Sequence, residues 1–330
     1  MQERNAPGPW LRSWRQTAGV DLLIAIGLFV AGAALAIWAT DRLLEGLVGL
    51  AALTTLSAFA IGALLSGLEA ENIAVGLAGG ARGADAIALG SVFGGAIFLV
   101  TVALGLGAII APLEVRLPRA FLGLIAAAPV LAGVALVGDR TSPVAGVVLL
   151  GAFAIAMAYV VRRSRHRTFL LSGEVAEAEG ERRSVAGVIA ITLLGLVGLT
   201  IGGNLVAEGA GRLITLLGVP ALLVGMVLAP AAIEIEEVFR QAIPARRGRP
   251  EVSAANLLGT LLYFVLFNLG LIALLTPVRV DPQVRLIDWP VLMVVTWLAV
   301  LFLARGRVGR IEGLLLLVAY AGYVALRALA

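Results

Sequence analysis

The sequence contains no cysteine and no lysine, and its 330 residues include one histidine, His166. A chain without cysteine forms neither disulfides nor thiolate metal sites. A single histidine, set among arginines in a polar segment, excludes a histidine-based metal centre and a catalytic histidine. Charged residues are also scarce, at 14% of the chain, where soluble proteins have about 25%. The chemistry available is therefore that of oxygen ligands, mainly carboxylates and amides.

Long apolar runs dominate the chain. Hydrophobic residues make up 60% of it, and the mean hydropathy is +1.02. Runs of roughly 18 or more apolar residues are long enough to cross a bilayer, and examples lie at 22–39, 121–137 and 185–201. The runs are continuous rather than alternating, so they indicate helices and not a barrel. The predicted fold class is an all-α polytopic membrane protein.

The predicted spans number about ten, with boundaries uncertain by several residues. They lie at about 18–39, 46–66, 85–111, 118–138, 142–161, 185–207, 213–232, 252–276, 288–304 and 309–328. The longest polar loop, 162–184, separates two halves of similar length. The predicted organisation is an N-terminal segment 1–17, a first five-helix repeat 18–161, this loop, and a second five-helix repeat 185–330.

The two halves repeat one another at a constant offset. The shift that places Arg82 on Arg247 also places Pro112 on Pro277, and it needs no gap anywhere in the segment 67–115. Each half holds five predicted spans, an odd number, so the second half must be inverted in the membrane. Inverted repeats with a site at their interface are typical of secondary transporters.

The net charge of +4 and the isoelectric point near 10.3 come from arginines that flank the spans, so we predict no nucleic-acid partner. Sixteen of the 25 arginines fall on the side of the 162–184 loop. Arginine-rich loops stay in the cytoplasm. We therefore predict a multi-pass cell-membrane protein with that loop in the cytoplasm and both termini outside.

Two acidic stretches interrupt the apolar pattern, and they carry five glutamates: Glu69, Glu71, Glu234, Glu236 and Glu237. A charged side chain at the centre of a span costs at least ~2.5–3.5 kcal/mol, so these glutamates indicate a functional site. Oxygen ligands suit Ca2+, Mg2+, Mn2+ or Na+ and disfavour Zn2+. Clustered carboxylates cannot all ionise without a cation, so cation binding is expected to displace protons.

Helical spacing separates the polar residues into two groups, because residues three apart share a helix face and residues two apart lie about 200° round it. Four residues are predicted to bind the transported cation: Glu69, Asn72, Glu234 and Glu237. Auxiliary or proton-carrying roles are predicted for Glu71, Glu236, Ser91 and Asn256. For Ser91 and Asn256, lining the site and packing between helices are both compatible with the sequence.

Each half also carries a basic-Gly pair followed by a Gly-containing motif. The first half has Arg-Gly at 82–83 and Gly-Ser-Val-Phe-Gly-Gly at 90–95; the second has Arg-Gly at 247–248 and Ala-Asn-Leu-Leu-Gly-Thr at 255–260. This arrangement resembles the cation/Ca2+ exchanger superfamily, the sodium/calcium exchanger membrane region. In that family each of two α-repeats has Gly-Thr-Ser-Leu-Pro-Glu, a basic-Gly pair, and Gly-Asn-x-x-Gly-Ser-Asn.

The resemblance implies which residues take the family's ligand positions. The metal-binding glutamate of the family falls on Asn72 and Glu237, and its coordinating serine falls on Glu69 and Glu234. A carboxylate site is therefore kept, although its residues differ from the family motif.

Other positions depart further from the motif. The second pair of ligand positions, Asn or Asp in sodium/calcium exchangers, falls on Leu99 and Phe264, and the motif serine falls on Gly95 and Thr260. Most of these substitutions remove polar groups that the family uses for sodium. They disfavour sodium coupling and favour proton coupling.

We predict a secondary active cation antiporter, not an enzyme, that exchanges a divalent cation such as Ca2+ for protons and needs no cofactor. Its partners would be inorganic cations, protons and the lipid bilayer. Rocking of the first and sixth spans would alternate access, as the resemblance implies. The alternatives are Na+-coupled Ca2+ exchange, monovalent cation/proton antiport and, in another class, a non-transporting membrane scaffold or an intramembrane enzyme.

Overall fold

The computed structural model describes residues 9–53, 63, 70–81, 83, 85–164, 184–216 and 234–329. This part of the chain is almost entirely helical. The first half contains α1 (Pro9–Leu53), α2 (Ala70–Ala81), α3 (Asp85–Phe98), a π-helical turn (Leu99–Ala103), α4 (Leu104–Ile110), strand β1 (Leu113–Glu114), α5 (Arg119–Ala132), a 3-10 turn (Gly133–Leu136) and α6 (Pro143–Ser164). The second half contains α7 (Val185–Leu216), α8 (Ile235–Arg246), α9 (Pro250–Leu262), a π-helical turn (Tyr263–Asn268), α10 (Leu269–Leu275), a π-helical turn (Val284–Asp288), α11 (Trp289–Ala304), strand β2 (Arg307–Val308) and α12 (Arg310–Leu329).

Seven helices of the described part are long and apolar enough to cross a membrane. They are Ala88–Ile110, Arg119–Leu136, Pro143–Arg163, Val185–Gly202, Pro250–Leu275, Val284–Ala304 and Arg310–Leu329. The predicted all-α polytopic membrane class is confirmed. Most of the predicted spans 46–66 and 213–232 lies outside the described residues.

Helices α1 and α7 extend beyond the predicted first and sixth spans. Helix α1 begins at Pro9 and runs through the expected loop near residue 40 to Leu53, and α7 continues past residue 207 to Leu216. The polar residues that suggested a break pair within the helices instead. Arg42 contacts Glu45 at 2.8 Å, and Arg212 contacts Glu208 at 2.7 Å. Pairs spaced by three or four residues support a helix.

Helices α1 and α7 pack antiparallel through glycines. Gly46 faces Thr192 near one end of the contact, Gly195 faces Leu43, and Gly209 faces Phe29 near the other end. A Cβ added at Gly195 would lie 2.5 Å from the backbone nitrogen of Leu43, so the helices approach too closely for larger residues. Small residues at the seam are typical of close helix packing in membranes.

The described elements of the two halves keep the offset that aligns the repeats in the sequence. Under that shift α2 and α8 correspond end for end, the first residues of α3 and α9 coincide, and so do the last residues of α4 and α10. Both halves interrupt the long span with a π-helical turn after α3 and after α9. Single π-helical turns inside α-helices are frequent at functional sites.

Backbone bridges join the halves in two related places. The N–H of Val115, just after β1, donates to the carbonyl of Gly306 at 3.1 Å, and the N–H of Val280 donates to the carbonyl of Asp139 at 2.9 Å. Strand β1 pairs with β2, and Arg140 pairs with Arg279 in an isolated bridge. Each half thus contributes a span end to one bridge and a loop to the other, as a pseudo-two-fold relation requires.

The same exchange occurs in helix packing. Helix α4 packs on α12, where a Cβ added at Gly105 would lie 2.9 Å from the carbonyl oxygen of Gly313. Helix α6 packs on α10, where a Cβ added at Gly146 would lie 2.7 Å from the carbonyl oxygen of Gly270. The two repeats are therefore interlocked, because each covers a helix of the other.

Gly248 closes the turn between α8 and α9 at φ +75°, as Gly83 does at φ +71° in the first half. Gly248→Ala is expected to lower the unfolding free energy by about 1–2 kcal/mol, because left-handed backbone strains residues with a Cβ. In the described part of the chain no atom lies within 4 Å of the added Cβ, so the cost comes from the backbone. The measurement is thermal unfolding of the purified protein in detergent.

The matched control is Gly123→Ala in α5, where an added Cβ also has no described neighbour within 4 Å. Its backbone is helical, so alanine is expected to be neutral or slightly stabilising. Equal melting temperatures for the two variants would contradict the assignment of strain to Gly248.

Candidate cation-binding site

Three of the predicted glutamates lie at the start of α8. Glu234 immediately precedes the helix, and Glu236 and Glu237 occupy its first turn. Acidic residues are favoured there because the free N–H groups carry partial positive charge. Their exposed fractions are 2%, 9% and 0%, so all three carboxylates are withdrawn from solvent and lipid.

Both oxygens of Glu237 accept hydrogen bonds from side chains. Nη1 of Arg240 donates to Oε1 at 2.5 Å, and Nδ2 of Asn256 donates to Oε2 at 2.6 Å. Asn256 lies on α9, 19 residues further along the chain, and is 3% exposed. The contact joins the acidic turn of α8 to the middle of α9.

Arg240 is the residue of this cluster that sequence reasoning missed. Its Nη2 donates to Oε1 of Glu236 at 2.6 Å, so one guanidinium bridges two carboxylates. Arg240 is only 7% exposed. The signal was present in the spacing, because Arg240 follows Glu236 by four residues and Glu237 by three, the separations at which side chains meet on a helix.

Glu234 contacts the first half of the chain. Its carboxyl is hydrogen-bonded to the side chain of Asn72 on α2 and lies close to Glu236 and Glu237. Asn72 is 4% exposed. A Cβ added at Gly95 on α3 would lie 3.4 Å from Oε1 of Glu234. The cluster is therefore built from α2, α3, α8 and α9, with elements from both halves.

Two further oxygen atoms on α9 suit a cation. Oδ1 of Asn256 and Oγ1 of Thr260 are buried, and neither has a hydrogen-bond partner within the part of the chain that the structure describes. The two residues lie one helical turn apart and so share a face. Buried polar atoms are normally satisfied, and acceptors left open beside carboxylates fit a cation better than an anion.

The remaining predicted site residues are only partly accounted for. Glu69 lies outside the described residues, as does the side chain of Glu71. Ser91 donates to the carbonyl of Ala88 on its own helix at 3.0 Å. Within the described residues, no group of three acidic or histidine side chains is arranged to hold a metal ion.

A family comparison covers both halves. The sequence pattern of the family described as Sodium/calcium exchanger protein matches residues 24–162 and 187–329. The chain belongs to this family. The family is one of exchangers, which are transporters rather than enzymes, and the superfamily resemblance inferred from the sequence is confirmed.

Two individual relatives and one solved structure match over most of the chain. The candidate antiporter CaxA of Alkalimonas amylolytica is 25% identical over 315 residues, which cover 92% of this chain and 98% of the relative. The inner membrane protein YrbG of Escherichia coli (strain K12) is 23% identical, covering 83% and 87% of the two chains. A solved structure of the sodium-calcium exchanger NCX_Mj has a TM-score of 0.75 at 23% identity, covering 92% and 98%.

Two of the positions that depart from the family motif lie in the π-helical turns. Leu99 begins the first turn, and Phe264 lies in the second. Both are buried, with exposed fractions of 0% and 1%. The ring of Phe264 lies 3.0 Å from the place of a Cβ on Gly95, next to the Glu234 carboxyl. An aromatic ring thus lies beside the cluster, at a position where the sequence resemblance implies a polar ligand in the family.

A cavity of about 840 Å³ lies beside α3. Polar and charged residues line it, among them Asp85, Asp139 and Asp281, and it reaches Gly94, the neighbour of Gly95. Its lining also includes the turn before α3 and residues around the Arg140–Arg279 bridge. Glu234 itself is not among the lining residues, so the link between the cavity and the cluster runs through the adjacent glycines of α3.

Proposed function

We propose that this chain is a cation antiporter that exchanges a divalent cation such as Ca2+ for protons. Glu234, Glu237 and Asn72 would bind the cation together with Glu69. Glu71 and Glu236 would carry protons or complete the site. Ser91 would have an auxiliary role in packing its helix beside the site. Asn256 would have an auxiliary role through its contact with Glu237.

The observation that carries this proposal is the burial of Glu234 and Glu237 between amides from opposite halves. Asn72 belongs to the first repeat and Asn256 to the second. A buried carboxylate is costly unless it is paired or binds a cation. Because each half provides part of the surroundings, a small relative movement of the halves would change the site, as alternating access requires.

The surroundings support proton coupling over sodium coupling. Apolar side chains cannot replace the hydration shell of an ion, and Leu99 and Phe264 stand where sodium/calcium exchangers have Asn or Asp. Neighbouring carboxylates oppose one another's ionisation, so a divalent cation that enters the cluster would displace protons, and returning protons would displace the cation.

Sodium-coupled Ca2+ exchange is the second candidate, and one observation favours it. Thr260 keeps a hydroxyl where the family motif has serine, and its oxygen has no hydrogen-bond partner among the described residues. A hydroxyl beside an amide oxygen suits Na+ as well as Ca2+.

The α1–α7 pair is the proposed moving element. The pair contacts the cluster-bearing helix α8, and Arg247 at the end of α8 reaches Asp41 of α1 at 2.6 Å. Movement of this pair relative to the other helices would open the cluster to one face at a time. We further propose that the 162–184 loop is cytoplasmic, which makes the cavity lined by Asp85 and Asp139 the outward access route.

The test is Ca2+ flux in proteoliposomes with the pH gradient and the sodium gradient imposed separately. A pH gradient alone is expected to drive Ca2+ movement in the opposite direction to protons, and a sodium gradient alone is expected to leave flux at the protein-free background. Exchange driven by sodium alone would establish the second candidate. Two results would refute coupled antiport of Ca2+. One is Ca2+ flux that is equally fast with no pH or sodium gradient imposed, and the other is Ca2+ flux that stays at the protein-free background under either gradient.

A further inference from the structure

Arg240 supplies a positive charge inside the carboxylate cluster. The side chain comes from α8 itself, one turn after the glutamates, and its two terminal nitrogens contact Glu237 at 2.5 Å and Glu236 at 2.6 Å. Burying an arginine is costly unless it is paired. Here two buried carboxylates pair with it, so the guanidinium takes a place that a cation from solution would otherwise favour.

The side-chain contacts of Glu237 already occupy the oxygens that a cation would bind. Glu237 is 0% exposed, and each of its oxygens already accepts a hydrogen bond, one from Arg240 and one from Asn256. Asn256 can present its own free oxygen to a cation by rotating its amide. Arg240 has only donors, so it repels a cation and must shift before Glu237 can bind one fully.

The charge of the described carboxylates follows from the same contact. Glu234, Glu236 and Glu237 carry three negative charges when ionised, and Arg240 carries one positive charge, because arginine stays protonated in proteins. Two negative charges remain, which one divalent cation balances. Without Arg240 the same carboxylates would attract cations more strongly and would hold them longer.

We propose that Arg240 is a tethered cation that competes with the transported cation for Glu237 and so keeps the affinity of the site low. The proposal rests on the proposed function in taking Glu237 as a cation ligand. When the transported ion leaves, the guanidinium occupies the carboxylates; when the ion enters, the guanidinium moves towards Glu236. Arg240 thereby acts on the affinity for the cation without itself binding it.

The experiment compares Ca2+-dependent thermal stabilisation of the purified full-length protein in detergent for wild type and Arg240→Gln. A ligand stabilises the folded state according to its concentration relative to its Kd. In Arg240→Gln the Ca2+ concentration that gives half of the maximal shift is expected to fall by at least about tenfold, because a nearby positive charge has been removed. The KM for Ca2+ flux should fall with it.

Three further variants separate competition from a structural role. Arg240→Lys keeps the charge in a compact ammonium and is expected to shift the Ca2+ midpoint by less than about threefold. Arg240→Gln with Glu236→Gln restores the net charge and should raise the midpoint above that of Arg240→Gln alone. Arg246→Gln makes the same charge change at the exposed last residue of α8 and should leave the midpoint unchanged.

An unchanged or raised Ca2+ midpoint in folded Arg240→Gln overturns the proposal. If that variant does not fold, the test compares Glu236→Gln with the Arg240→Gln, Glu236→Gln double variant. The Ca2+ midpoint of Glu236→Gln should be several-fold higher than that of the double variant. Equal midpoints would overturn the proposal. Wild type that is stabilised by Ca2+ but transports none would refute antiport and leave this proposal standing. Wild type that exchanges Ca2+ with a midpoint insensitive to Arg240 would refute this proposal alone.

Discussion

Glu237→Gln is expected to abolish cation exchange in proteoliposomes. Loss of even an outer partner of a metal ligand costs about 10–100-fold in affinity, so loss of the carboxylate itself should lower flux by more than about 100-fold. Glutamine has the shape of glutamate and can still accept from Arg240, and Asn256 can rotate to accept from the new amide. The protein should therefore remain folded, which size-exclusion chromatography would establish alongside the flux measurement.

The control for that loss is Glu208→Gln on α7, which removes an exposed carboxylate paired with Arg212 and should keep flux near wild type. Glu234→Gln should lose exchange as Glu237→Gln does. Its melting temperature is expected to be no lower than that of wild type, because the change removes a buried charge close to two other carboxylates. Wild-type flux in either cluster variant would remove that residue from the proposed site.

Arg327→Met is expected to destabilise the protein by about 3–5 kcal/mol, the cost of leaving a buried partner charge unpaired. Arg327 of α12 holds Asp288 at the start of α11 through Nη2 at 2.5 Å and Nε at 2.9 Å, and Tyr323 also donates to that carboxylate at 2.9 Å. The two charged residues are 5% and 3% exposed. The melting temperature in detergent should fall by roughly 5–10 °C.

Two variants give this prediction its controls. Arg310→Met lies on the same helix, and Arg310 donates to a backbone carbonyl at 3.3 Å from an exposed position. It should change the melting temperature by little. Arg327→Met combined with Asp288→Asn removes both charges and should recover much of the loss. If Arg327→Met alone has the melting temperature of wild type, the Arg327–Asp288 pair contributes nothing to stability.

The fold class and the repeat were predictable because both depend on patterns along the chain. Hydropathy identifies segments that must be helical in lipid, and the offset that aligns Arg82 with Arg247 also aligns helix ends in the structure. The ends of α1 and α7 were not predictable by hydropathy, since Glu45 and Glu208 resemble loop residues until their helical partners are considered. The π-helical turns have no comparable sequence signal.

The candidate site was predictable in composition but not in its contacts. Spacing on one helix grouped Glu234 with Glu237, and the same spacing would have added Arg240. The contact of Asn256 with Glu237 joins different helices, as does that of Asn72 with Glu234, and such contacts depend on how helices cross. The coupling ion, the roles of all the predicted site residues and the orientation of the 162–184 loop stay predictions.

The glycine contacts between repeats also bear on biosynthesis. Helix α4 is made early, but the helix that covers its Gly105 surface is α12, which lies at the opposite end of the chain and is synthesised after every other described helix. Until α12 enters the bilayer, lipid must occupy that surface, and Asp288 lacks its ion-pair partner Arg327. Neither repeat is therefore a self-sufficient folding unit. The other helices must stay inserted in the membrane, incompletely packed, until α12 has been inserted.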